Sequence, residues 1–126
     1  MVAGHYGAVE GATQGDYVKV TMLDVSLKPG AVWNVNLDAG ATAFAYTFAG
    51  GCDFGDSATH VGSRRAVLFG GGDTVAVKAG PEGVRFVLVA GRPLREPVAW
   101  GGPIVMNTQE ELDRAFAEIE SGTFIR

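Results

Sequence analysis

Turn signals recur along most of this chain at roughly 8–12-residue intervals, with short apolar runs between them. Lys28-Pro29-Gly30, Asp38-Ala39-Gly40, Gly70-Gly71-Gly72-Asp73 and Ala79-Gly80-Pro81-Glu82-Gly83 are the clearest. Such spacing leaves room for strands and too little for helices, so it predicts a β-sandwich or small barrel. The nineteen glycines fit that reading, because they fall between apolar runs and follow no collagen-like period.

The runs themselves alternate. Tyr17 to Leu27 places Val18, Val20 and Met22 on one phase, then Leu23, Val25 and Leu27 on the other, which predicts a bulge or bend near Met22-Leu23. Ala31 to Leu37 and Thr42 to Ala49 follow. The second of these sets Phe44, Tyr46 and Phe48 against the small Ala43, Ala45 and Thr47, as for a strand between packed layers. Gly50 to Gly62 reads as an irregular loop. Short strands are predicted at Arg65–Phe69 and Thr74–Lys78, and a fully buried one at Val84–Ala90.

Two segments break the pattern. Residues 91–108 hold three prolines, which excludes a long helix or a central strand. Their Leu94, Val98, Trp100, Ile104, Val105 and Met106 predict an ordered strap pinned against apolar surface. Beyond it, Thr108-Gln109-Glu110-Glu111 is a T-x-x-E capping box. Leu112, Ala115, Phe116 and Ile119 then make one apolar stripe, and Gly122 suits the residue beyond the C-cap, so a terminal helix is predicted.

A length of 126 residues suits one domain, divided into a loosely ordered lead-in (1–16), a β-barrel with its strap (17–106) and a helix (108–121). A net charge of −4 and a single adjacent basic pair, Arg64-Arg65, argue against direct binding of nucleic acid. One cysteine, Cys52, cannot form an internal disulfide and fits a reducing compartment. No apolar run approaches the ~18 residues of a membrane span, and no signal-like stretch follows Met1, so a cytoplasmic protein without a membrane partner is expected.

The strap Gly91-x-Pro93-Leu94-x-Glu96-Pro97-Val98, continuing through Gly102-Pro103-x-Val105-Met106-Asn107-Thr108, resembles the signature closing the C-terminal half of pirin-family proteins. Leu23-Asp24-Val25-x-Leu27-x-Pro29-Gly30, Ala43-Phe44-Ala45-Tyr46, Gly72-Asp73-x-Val75-x-Val77-x-Ala79 and Arg85-Phe86-x-Leu88-x-Ala90-Gly91 resemble further family segments in the same order. The resemblance implies a mainly β, cupin-like jelly-roll barrel of two antiparallel sheets plus one C-terminal helix. It is to the C-terminal of two tandem cupins, the metal being held in the other half. The H-x-H pair of a metal-binding cupin is replaced around Gly40-Ala41-Thr42-Ala43, and no histidine follows Gly72-Asp73. No residue here inherits the quercetin dioxygenase-like activity of some pirins.

Three functions follow as expectations. The first is a non-catalytic module with no cofactor, acting through a homodimer or a separately encoded cupin partner. The second is a small dioxygenase- or isomerase-like cupin enzyme with a non-standard metal site drawn from His5, Cys52, Asp56 and His60. That spacing matches no metal motif, and a solvated polar loop is the simpler reading. The third is a metal-free barrel binding a small apolar ligand in a pocket lined by Trp33, Phe44, Tyr46, Phe48 and Phe86.

Overall fold

The computed structural model describes residues 1–125. Strands β1 (His5–Tyr6), β2 (Val9–Glu10), β3 (Thr21–Leu27), β4 (Val32–Asn36), β5 (Thr42–Phe54), β6 (Thr59–Val61), β7 (Arg65–Leu68), β8 (Thr74–Gly91), β9 (Ala99–Gly101) and β10 (Ile104–Met106) precede helix α1 (Gln109–Glu120). They form two units, Met1–Pro93 and Leu94 onward, the boundary falling inside the proline-rich strap.

In the first unit the long strands β5 and β8 pair antiparallel almost end to end and are shared by two half-sheets. One half runs β3, β8 from Val84, β5 to Gly50, then β7; the other runs β4, β8 to Ala79, β5 from Cys52, then β6. All pairs are antiparallel, and the inner residues of both halves merge in one core around Leu23, Val25, Val35, Val77, Phe86 and Leu88. This is the cupin-like, mainly β architecture that the resemblance implies.

Phase changes locate the bend. Along β5 the buried residues are Ala43, Ala45 and Thr47, then Cys52 and Phe54. Along β8 they are Val75, Val77 and Ala79, then Val84, Phe86, Leu88 and Ala90. Both strands switch parity where their register shifts, between Thr47 and Cys52 on one and Ala79 and Val84 on the other. The expected phase change at Met22-Leu23 is no bulge: β3 starts at Thr21 and keeps an unbroken register with β8 to Leu27.

Four other expectations are corrected. The turn signal at Ala79–Gly83 bends one strand and does not separate two, and Val84–Ala90 alternates in burial. The predicted loop after Gly50 begins with β5 itself, which continues to Phe54. The lead-in is paired as well: β1 and β2 form a hairpin, and Val2 and Ala3 hydrogen-bond to Met22.

In the second unit β9 and β10 form a hairpin against α1, with Ile104, Leu112 and Ala115 buried between them. The capping box forms as predicted: the Glu111 N–H donates to the Thr108 hydroxyl, and the Thr108 N–H donates to the Glu111 carboxylate at 3.0 Å. Gly122 follows the Ser121 C-cap at φ +72°. The strap is less covered than its composition predicts, since Leu94, Val98, Trp100 and Val105 are exposed. No helix among the described residues is long and apolar enough to cross a membrane.

Candidate functional site

Alternation along the strands decides where each candidate side chain points, and it divides the expected pocket set. Trp33 and Phe86 face inward and meet edge to face, centroids 5.9 Å apart. Phe86 also meets Phe54 at 5.7 Å, and Phe54 meets Phe69 at 5.3 Å, both edge to face as ring quadrupoles favour. These rings fill the core. Phe44 and Phe48 do not join them: at 42% and 48% exposed, they lie with Tyr46 on the outer face of β5, and the small Ala43, Ala45 and Thr47 point inward. A pocket lined by all five aromatics is therefore not formed.

The interior is poor in donors for a metal. Thr47 is the only buried polar side chain among the described residues, and it is already satisfied. Its hydroxyl donates to the Gly62 carbonyl at 2.6 Å and accepts from the Arg65 N–H at 3.1 Å. Where the resemblance would place metal ligands, the inward residues are Ala43, Val75 and Val77. The metal of a cupin centre does not fit this set, which offers it no nitrogen, carboxylate or accessible thiolate.

The alternative ligands are scattered by strand register. His60 stands opposite Asp53 across β5 and β6, with Nδ1 at 3.0 Å from Oδ1, on the exposed face. Cys52, one residue away, points the opposite way into the core. Asp56 lies in the exposed turn after Phe54. His5 faces Glu10 across the β1–β2 hairpin, Nε2 to Oε1 at 3.0 Å. Among the described residues no three such groups come together.

Burial pushes the Cys52 thiol up to about 11, with the charge of Asp53 adding to the effect. Below its ordinary value of 9.0 both folded and unfolded chains keep the proton; between 9.0 and about 11 only the folded chain does. Stability should therefore fall as pH rises through that window, by about 1.4 kcal/mol per unit and about 2–3 kcal/mol in all. Urea unfolding of the wild type and Cys52→Ala, below pH 9.0 and near 11, checks this by difference. Equal slopes for the two proteins would contradict it.

What remains, and what the periodicity alone did not reveal, is the outer face of the first half-sheet. The register aligns Leu68, Phe44, Val89 and Met22 in one row across β7, β5, β8 and β3. Ala66, Tyr46 and Val87 make the next row. Leu68 is 74% exposed. At one margin Arg85 grips Asp24 with two bonds, Nε to Oδ1 at 3.1 Å and Nη2 to Oδ2 at 2.7 Å, and lies over the Phe48 ring. The Arg85 bond holds the Asp24 carboxyl below its ordinary value. Of these residues Leu68, Phe44 and Phe48 are exposed, and Tyr46, Val87, Val89 and Met22 are half-buried.

Residues 22–125 match the family model described as the pirin C-terminal cupin domain. Pirin-1 of Arabidopsis thaliana is 40% identical over 103 residues, 79% of this chain and 36% of that protein. Pirin of Homo sapiens is 39% identical over 102 residues, 79% and 35% of the respective chains. The crystal structure of quercetin 2,3-dioxygenase from Acinetobacter baumannii superposes with a TM-score of 0.86 at 27% identity, over 97% of this chain and 42% of that one. This chain spans about a third of the length of the curated relatives it matches.

Proposed function

Because the chain belongs to the pirin family, as its C-terminal cupin domain, we propose that it is a metal-free assembly module whose outer apolar sheet face packs against a second cupin domain. The observation carrying this reading is the outer-face row Leu68, Phe44, Val89 and Met22, with Tyr46 and Phe48 beside it, in which Leu68, Phe44 and Phe48 are exposed and the other three half-buried. Aromatic and apolar groups are the residues that dominate packed interfaces. The relatives' greater length agrees, since it leaves room in them for further domains. For the chain alone, the occupant of the face is a second copy.

The quercetin 2,3-dioxygenase named in the structural comparison is not extended to this chain, because Ala43, Val75 and Val77 cannot ligate a metal. Native mass spectrometry of the purified chain reads subunit count and bound metal together. A metal-free dimer is expected at micromolar concentration. Phe44→Asp with Leu68→Asp should weaken it at least about 30-fold, or about 2 kcal/mol, with the circular dichroism unchanged. A wild type that stays monomeric would sink the assembly reading; a stoichiometric transition metal would sink the metal-free one.

A further inference from the structure

Endopeptidases that cut after lysine or arginine bind their substrate as an extended segment held by its backbone. They can act only where a stretch of chain is exposed, unpaired and able to leave its neighbours. That requirement sorts the ten lysines and arginines of this chain. Lys28 and Arg92 each precede a proline, whose ring replaces the N–H of the bond to be cut and blocks it. Arg65, Lys78 and Arg85 lie inside paired strands, and Arg114 lies inside α1. Among the described residues Lys19, Arg64 and Arg95 are left.

The first two are held. Lys19 Nζ donates to the Gly15 carbonyl at 2.8 Å, and Val18 and Val20 on either side of it are half-buried. The Arg64 N–H donates to the Thr47 carbonyl at 2.7 Å and the Arg65 N–H to the Thr47 hydroxyl at 3.1 Å. The bond between those arginines is thus tied to a wholly buried residue of β5. Arg95 is not held. Residues 94–98 are all exposed and belong to no helix or strand. Among the described residues no backbone group of residues 92–96 has a backbone partner. The nearest tie beyond them is the Asn107 side-chain amide, which donates to the Pro97 carbonyl at 2.9 Å. Arg95 also has φ +56°, a left-handed conformation that is costly for a residue with a Cβ. Straightening into an extended form relieves that cost.

We propose that the Arg95–Glu96 bond is the cleavage site of this chain for an arginine-directed endopeptidase of trypsin-like specificity. The amide C–N bond breaks and one water is consumed: its hydroxyl joins the Arg95 carbonyl carbon and its hydrogen joins the Glu96 nitrogen. The products are residues 1–95, carrying β1 to β8, and residues 96–126, carrying β9, β10 and α1. Neither apolar core is cut, since that of the first unit draws on residues up to Leu88 and that of the second on residues from Ala99. The site shares no residue with the outer sheet face and does not depend on the assembly reading.

The test is limited digestion of the folded full chain with trypsin, followed by intact-mass spectrometry over time. The first products should be residues 1–95 and 96–126, and Arg95→Gly should slow the loss of intact chain at least about tenfold. That variant removes the charge the enzyme reads, and glycine suits the positive φ at this position, so folding is not at risk. A first cut after Lys19 or Arg64 would overturn the proposal. Simultaneous cuts at many basic residues would overturn it as well, because they report opening of the whole chain and not of one segment. So would a wild type that stays intact, or one lost no faster than Arg95→Gly.

Discussion

Replacing Phe86 by alanine is expected to lower the unfolding free energy by about 3–5 kcal/mol, a large part of what a domain of this size has. Phe86 is wholly buried, and its ring meets both Trp33 and Phe54 edge to face. Truncation would leave a cavity between two half-sheets tied together by β5 and β8, which limits how far the walls can collapse onto it. Phe44→Ala, an identical chemical change on the outer face, should cost less than about 1 kcal/mol. Urea unfolding followed by circular dichroism, at a concentration where the chain is monomeric, measures both. Equal losses would mean that the inside and outside of β5 have been assigned the wrong way round.

That pair of residues also shows where sequence reading stops. The alternation of Thr42–Ala49 reveals a strand with a large face and a small face, and size suggests that the large one is buried. The choice depends instead on what lies across the core. Phe86, Trp33 and Phe54 already fill the space between the half-sheets, so β5 can approach only with its small residues Ala43, Ala45 and Thr47 inward. Those neighbours are distant in sequence, and no local pattern reports them. Cys52 was hidden for a related reason. The parity switch within β5 makes a regular strand look irregular, and a thiol that reads as a loop candidate is core.

Features set by local chemistry were legible. The T-x-x-E box places the helix start at Thr108 because its two hydrogen bonds lie within one turn of chain. The run of strands between turn signals gives the β class, and the ordered family segments ending in the proline-rich strap give the cupin family. The pairing of residues 1–3 with Met22 was not legible, because these small residues carry almost no apolar pattern and are held by backbone bonds alone.

Gly50→Ala is expected to be as damaging as the loss of Phe86, although it adds a single methyl group. Gly50 has φ +70°, and a Cβ there would lie 2.1 Å from the Gly83 carbonyl oxygen, far inside contact distance. The left-handed backbone alone costs an alanine about 1–2 kcal/mol, and relieving the clash requires β5 to move off β8 where both strands switch parity. That bend is what allows two strands to serve both half-sheets, so a shift there disturbs the core on either side. A total of about 3–5 kcal/mol follows, or a fall in melting temperature of more than about 12 °C. Gly40→Ala is the matched control: a Cβ at Gly40 meets nothing within 4 Å, and its φ lies outside the left-handed region. Its melting temperature should stay within about 2 °C of the wild type, since open, unstrained positions tolerate or gain from alanine. If Gly50→Ala melted as late as that control, the close crossing of β5 and β8 would be wrong, and with it the division of the barrel into two half-sheets that sets Phe44 outside and Phe86 within.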